Sequence, residues 1–274
     1  MKSMLRRYEA LLAMKRNKMG NHCFIDSGLK TIRRWPTERA KVWVQTYVHD
    51  AASDPLVLAV LAVGSAVREG VPSNDVDLLV ILAGPAAARR EHPPLEVDLR
   101  TYPADIVESE IRRGHDYLGW AAKFGAVLHE KDGFWSKLLS RVNGRIPLPS
   151  REVALERARI AYRQAKALLE AGDDEGALEQ VTSLLTHLAR AELIQASIYP
   201  ASRPELPGQL AAAGRFGLSR LLSVALNRQA TPDELLNEIE PEAHRLTGEE
   251  SGALMARERN TPEDYSTRTD AEPM

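Results

Sequence analysis

Asp75 and Asp77 stand two residues apart in Asp75-Val76-Asp77-Leu78-Leu79-Val80, and on an extended chain that spacing puts both carboxylates on one face. Two like charges on an otherwise apolar strand are costly unless something positive sits between them. A pair of magnesium ions is the usual remedy, hard and oxygen-seeking, roughly 3.5–4 Å apart and bridged by carboxylates and substrate phosphates. Asp98, in Glu96-Val97-Asp98-Leu99, would complete a cluster of three carboxylates. Glu96 shares its strand face, so spacing alone leaves these two acids as alternatives. Upstream, an apolar run ends at Gly64-Ser65, where a residue without a Cβ lets backbone N–H groups approach a phosphate and a hydroxyl adds a donor.

Three short segments have to hold these groups. Leu56–Val63 and Val76–Leu82 are continuous apolar runs of the length of strands covered on both faces. Leu95–Tyr102 alternates Leu95, Val97, Leu99 with Glu96, Asp98, Arg100, the period of a strand with one polar face. Before them, residues 37–52 read as a helix with Thr37 as N-cap and Ala40, Val44, Tyr47, Val48 and Ala51 on its apolar side. After them, residues 103–113, 115–128 and 134–142 read as short helices. Pro147 and Pro149 then mark a boundary. Ser150 caps a long helix ending at Gly172, and a partner from Asp174 to Ser197 carries the stripe Leu178, Val181, Leu185, Leu188. Ser202 with Glu205, and Thr231 with Glu234, are capping boxes that announce further helices.

The expected architecture is α+β, a small mixed sheet followed by an all-helical bundle. Its expected parts are a basic extension over 1–34, a catalytic domain over 35–146, a helical bundle over 147–246 and a polar tail over 247–274, expected to be disordered. A net charge of −2 excludes a global basic footprint for nucleic acid, although residues 1–34 carry nine Lys or Arg against Glu9 and Asp26. A single cysteine, Cys23, excludes an intrachain disulfide and a cysteine zinc site and fits a reducing compartment. The longest apolar run, Pro55–Val63, is about half what spans a bilayer. A soluble cytoplasmic protein with no membrane partner is expected.

The order of a strand, Gly64-Ser65, a short loop with Arg68 and Gly70, then Ser73-x-Asp75-x-Asp77 and two apolar residues resembles the nucleotidyltransferase superfamily that includes DNA polymerase beta. Within it, the chain is most similar to small bacterial antibiotic (aminoglycoside or lincosamide) and minimal nucleotidyltransferases. The resemblance spans about residues 38–140. It implies that Gly64 and Ser65 hold a triphosphate, that Asp75 and Asp77 bind two Mg2+ ions, and that Asp98 supplies the third carboxylate, with Glu96 as the other candidate for metal contact or for deprotonating the acceptor. The implied reaction transfers a nucleoside monophosphate, AMP from ATP, to a hydroxyl of a small acceptor such as an aminoglycoside, releasing pyrophosphate. Arg68 and Arg100 would add positive charge at the outer phosphates or form surface ion pairs. Ser73 would touch phosphate or shape its turn.

Glu192 continues the stripe of its helix, which points a carboxylate from the bundle's apolar face; the resemblance implies a place in an acceptor pocket, and the alternative is a helix end emerging into solvent. His115, His129 and His187 lack metal-ligand spacing and read as surface or packing residues. Tyr117, Trp120, Phe124 and Trp135 read as core, or as a wall on which a base stacks. Two other readings keep the motif: a tRNA or protein acceptor engaged with help from the basic N-terminal stretch, and a nucleotide-binding module without catalysis. Relatives that pair subunits make a homodimer a further expectation.

Overall fold

The computed structural model of the chain describes residues 28–70, 73–84, 92–142 and 145–247. Most of the basic N-terminal stretch, with Cys23, and nearly all of the polar tail lie outside the described residues.

Helix α1, Glu38–Ser53, begins where Thr37 accepts a hydrogen bond from the Ala40 amide at 3.1 Å, and it buries the five residues its periodicity singles out. A four-stranded sheet has the order β3-β2-β1-β4, with β1 Val57–Val63, β2 Val76–Leu82, β3 Val97–Pro103 and β4 Ala126–Glu130. Strand β1 is antiparallel to β2 and β4, whereas β2 and β3 are parallel. The two central strands are apolar throughout because both faces are covered. Val60, Ala62, Leu78 and Val80 meet α1, while Leu61, Val63, Leu79 and Ile81 meet α2, Ala104–Arg112, α3, Asp116–Phe124, and α4, Phe134–Arg141. Trp135 is fully inside the second layer. Residues 28–34 also join the first layer: Ile32 is buried in it and the Arg33 amide donates to the Ala66 carbonyl at 2.8 Å.

Two expectations need correcting. The helix expected over 115–128 stops at Phe124, and Ala126–Glu130 forms the edge strand β4. Gly125 makes the break: a Cβ there would lie 2.5 Å from the Ala121 carbonyl oxygen, so only glycine lets the chain turn so tightly from helix to strand. Five residues after a helix carry too little periodicity to reveal the switch. The third strand begins at Val97 and not at Leu95, which is fully exposed in the preceding turn.

The remaining described residues form helices: α5, Arg151–Glu170, α6, Asp174–Gln195, α7, Leu206–Ala212, α8, Phe216–Leu226, and α9, Pro232–Thr247. Ser150 caps α5 by accepting from the Val153 amide at 3.2 Å, and Gly172, with φ of 75°, lets the chain reverse into the antiparallel α5–α6 hairpin. Both capping boxes form, Ser202 with Glu205 and Thr231 with Glu234. Leu184, Leu185, Leu188, Leu222 and Ile239 share one core. Each such side chain contributes roughly 1.5–3 kcal/mol by leaving water. Among the described residues, no helix is long and apolar enough to cross a membrane.

Candidate active site

Parallel pairing of β2 with β3 sets Asp77 directly beside Asp98, and antiparallel pairing of β1 with β2 sets Val63 opposite Asp77. In-register neighbours share a face, so Asp77 and Asp98 project to the same side. Asp75, two residues before Asp77, lies close enough for its charge to be felt there. Burial, then the charges of Asp75 and Asp98, raise the Asp77 pKa to about 7, while Arg100 pulls the other way. The Arg100 Nε donates to Asp98 Oδ2 at 2.9 Å, and its guanidinium lies 4.7 Å from the centre of the Tyr117 ring. Burial also holds the Tyr117 phenol well above its ordinary range, helped by the charge of Asp77, and its hydroxyl has no hydrogen-bond partner among the described residues.

Gly64 explains how Asp77 fits. It has φ of 75°, and a Cβ on it would lie 2.2 Å from Asp77 Oδ2. Only glycine lets the backbone pass this close to the carboxylate, in a conformation that other residues adopt at a cost of ~1–3 kcal/mol. Ser65 follows at the head of a single 3₁₀ turn, and its hydroxyl donates to Ser73 Oγ at 3.0 Å. Ser73 in turn donates to the Asp75 carbonyl at 2.7 Å, so it shapes the loop that delivers the aspartate pair. Glu96 precedes β3 in a turn, where its carbonyl accepts from the Val76 amide at 2.8 Å. Its carboxylate is not among the charges that act on Asp77, whereas that of Asp98 is.

A cleft of about 1220 Å³ opens between this end of the sheet and the helical bundle. Gly64, Ser65, Asp75, Asp77, Arg100 and Tyr117 line one wall. Arg157, His187, Arg190, Arg203 and Arg228 belong to the other, with Glu179. Arg68 is not on either wall; it clamps them together. Its Nη2 and Nε donate to Glu205 at 2.7–3.0 Å, and its guanidinium rests 4.8 Å from the centre of the Phe124 ring. Trp120 and Tyr117 line the cleft, while Phe124 packs against Trp120 and Tyr199.

Glu192 does point from the apolar face of α6, but neither into the cleft nor into solvent. It is 3% exposed and ion-paired with Arg215 at 2.6 Å and Arg245 at 3.8 Å, on the side where α8 and α9 approach. Helical spacing located the face correctly and left its neighbours unknown. Two histidines that spacing set aside, His115 and His187, line the cleft. His115 caps α3, accepting from the Leu118 amide at 3.3 Å, and His129 is buried in β4. Asp116, Arg157 and Arg190 come from three helices, and no spacing rule links them in advance.

Asp75, Asp77 and Asp98 supply only hard oxygen donors, the set that suits magnesium. Among the described residues no three acidic, histidine or cysteine side chains converge on one point as a ready-made cage. Magnesium, which dehydrates reluctantly, would be held there by one or two carboxylates and completed by water and phosphate. Half-buried Asp77, between the charges of exposed Asp75 and exposed Asp98, is the carboxylate whose charge such an ion would stabilise.

No family model matches the chain, and no curated protein sequence does. Among solved structures, the chain is similar to the crystal structure of a nucleotidyltransferase-like protein from Exiguobacterium sibiricum 255-15, with 17% identity over 74% of this chain and 73% of that one and a TM-score of 0.39.

Proposed function

We propose that the chain is a magnesium-dependent nucleotidyltransferase that moves a nucleoside monophosphate, AMP from ATP, onto a hydroxyl of an acceptor bound in the cleft. The observation that supports this reading best is the contact at Gly64: a residue with no Cβ, in a turn suited to phosphate, is packed against Asp77, whose pKa burial and then two neighbouring acids raise to about 7. Structural carboxylates have no need of that crowding.

In this reading the Gly64-Ser65 turn takes the triphosphate, with the Ser65 hydroxyl exchanging Ser73 for a phosphate oxygen. Asp75, Asp77 and Asp98 would hold two magnesium ions. Bound there, magnesium supplies charge neutralisation at the triphosphate and a lower pKa for the acceptor hydroxyl. The acceptor oxygen bonds to the α-phosphorus as the bond to the β-phosphate oxygen breaks, and that electron pair leaves with pyrophosphate. In this reading Asp98, in register beside Asp77, receives the acceptor's proton, and the register favours it over Glu96 for that role. Arg100, on the Tyr117 ring, adds positive charge within the same wall. Tyr117 and Trp120 offer ring faces to a base. An aminoglycoside-like acceptor, the precedent of the resemblance, meets a poor partner in the arginine-rich opposite wall; the acceptor we propose is a hydroxyl compound without that polycationic character.

The test is purified protein with magnesium and labelled ATP across a panel of hydroxyl acceptors. Pyrophosphate release is expected with at least one of them, and Asp75→Ala or Asp77→Ala should reduce it by about a thousand-fold or more. Turnover that survives both changes overturns the assignment.

A further inference from the structure

The two walls of the cleft differ in charge. From the bundle come four arginines, Arg157, Arg190, Arg203 and Arg228, and a single carboxylate, Glu179. One oxygen of Asp116, at the start of α3, is shared between Arg157 at 2.8 Å and Arg190 at 3.2 Å. One carboxylate cannot satisfy two guanidiniums, each of which offers five donors. The Arg190 Nε is buried and has no hydrogen-bond partner among the described residues, and neither has Nδ1 of His187, one turn earlier on the same helix. Local charge shows the same excess. Burial, then Arg190 and Arg157, lower the His187 pKa to about 4, with Asp116 opposing. Burial also lowers the pKa of Arg190; Asp116 opposes, and Arg157 and Arg203 add to the lowering. Arg190, a quarter exposed, keeps a buried Nε donor unused beside a histidine that burial and then the two arginines keep neutral, so the pair of guanidiniums has donors left over beyond Asp116.

We infer that Arg190 and Arg157, with His187 beside them, form an anion subsite in the bundle wall that takes a phosphate or carboxylate group of the acceptor. The inference rests on the transferase reading for the word acceptor, since the triphosphate belongs to Gly64-Ser65 on the opposite wall. Planar guanidiniums suit bidentate recognition of such groups. The acceptor is then an anionic hydroxyl compound, the opposite of a polycationic antibiotic. Its hydroxyl points to the sheet and its acid group to the bundle.

Inorganic phosphate is the probe, titrated by calorimetry into the full-length, metal-free protein, with the His187 ring followed by NMR. Binding is expected to raise the His187 pKa from about 4. Arg157→Gln, on a partly exposed side chain that folding does not require, and Arg190→Gln should each weaken phosphate by about ten-fold or more. Glu170→Gln, at the exposed end of α5 and away from the cleft, should leave it unchanged. Phosphate affinity that is equal in wild type and both arginine variants overturns the subsite. Repeating the titration with magnesium and a non-hydrolysable ATP analogue separates the two sources of phosphate. Binding of both together supports the acceptor assignment, whereas mutual exclusion gives the arginines to the nucleotide's tail and overturns it. A protein that binds phosphate but no nucleotide keeps the subsite and sinks the transferase reading, and the acceptor with it.

Discussion

The sheet wall of the cleft gathers its charge from residues close in sequence, and the bundle wall gathers its charge from residues far apart. Asp75 and Asp77 share one short segment, and β-sheet register brings Asp98 alongside. Arg157, Arg190 and Asp116 come from three helices and meet only through packing. The first wall crowds Asp75, Asp77 and Asp98 around one arginine, Arg100, and the second holds four arginines from the bundle against Glu179; in the proposed reading the first takes magnesium and the second an acid group. In the proposed transfer the two charge patterns divide the work, one wall for the metal-bound triphosphate and the other for the acceptor.

Replacing Gly64 by alanine is the sharpest way to break the sheet wall. The added methyl would strike Asp77 in a backbone conformation that alanine adopts with strain. Nucleotide affinity measured by calorimetry should fall by about a hundred-fold, with ~1–3 kcal/mol lost from folding stability. Alanine at the nearby Gly70 also has positive φ but meets no atom within 4 Å, and it should cost only the smaller, local strain. Equal effects at the two glycines would show that Asp77 does not depend on the clearance.

Stability against pH sharpens the comparison next. The Asp77 pKa is raised from 3.8 to about 7, so the folded protein retains a proton that the unfolded chain gives up. The stabilisation is complete below the unfolded value and is lost as pH rises toward 7. Asp77→Asn, neutral throughout, escapes that loss. Metal-free Asp77→Asn should match wild type near pH 4 and exceed it at pH 8 by an amount on the order of 2–4 kcal/mol. Magnesium added at pH 8 should narrow the gap by stabilising wild type alone. Thermal melts at the two pH values check both statements.

The smallest expected effect lies in the clamp between the walls. Arg68 meets Glu205 in a partly buried, two-oxygen contact, and burial of Glu205 is outweighed by the hydrogen bonds of Arg68 and Ser202, which lower its pKa. Arg68→Ala should cost ~1–2 kcal/mol in chemical denaturation and raise KM for the acceptor a few-fold with kcat nearly unchanged, because the two walls lose their register while the carboxylates stay in place. A fall in kcat equal to that of Asp77→Ala would instead place Arg68 against the triphosphate.

Local chemistry is legible before any coordinates. Thr37, Ser150, Ser202 and Thr231 cap helices because each bond forms within a few residues of its donor. The aspartate pair and Gly64-Ser65 are readable for the same reason: an extended strand alternates its faces, and a turn is a local event. Alternation also carries Asp98 to the correct face of β3 without revealing which of Asp98 and Glu96 lies beside Asp77, because that choice belongs to the pairing with β2. Strand β4 is not legible in advance, because its five residues are too few to show a period and are recruited by the free edge of β1.

Sequence alone determined where the carboxylates stand along the chain and that helices follow a small sheet, since both depend on periodicity and short-range bonding. Tertiary structure alone decided that Glu192 is sealed against Arg215, that Arg68 holds two walls together, and that Arg157 and Arg190 compete for one oxygen of Asp116. A side chain's partner across a fold is set by how helices pack against a sheet, and that packing is encoded in the sum of many apolar contacts, not in any spacing near the residue itself.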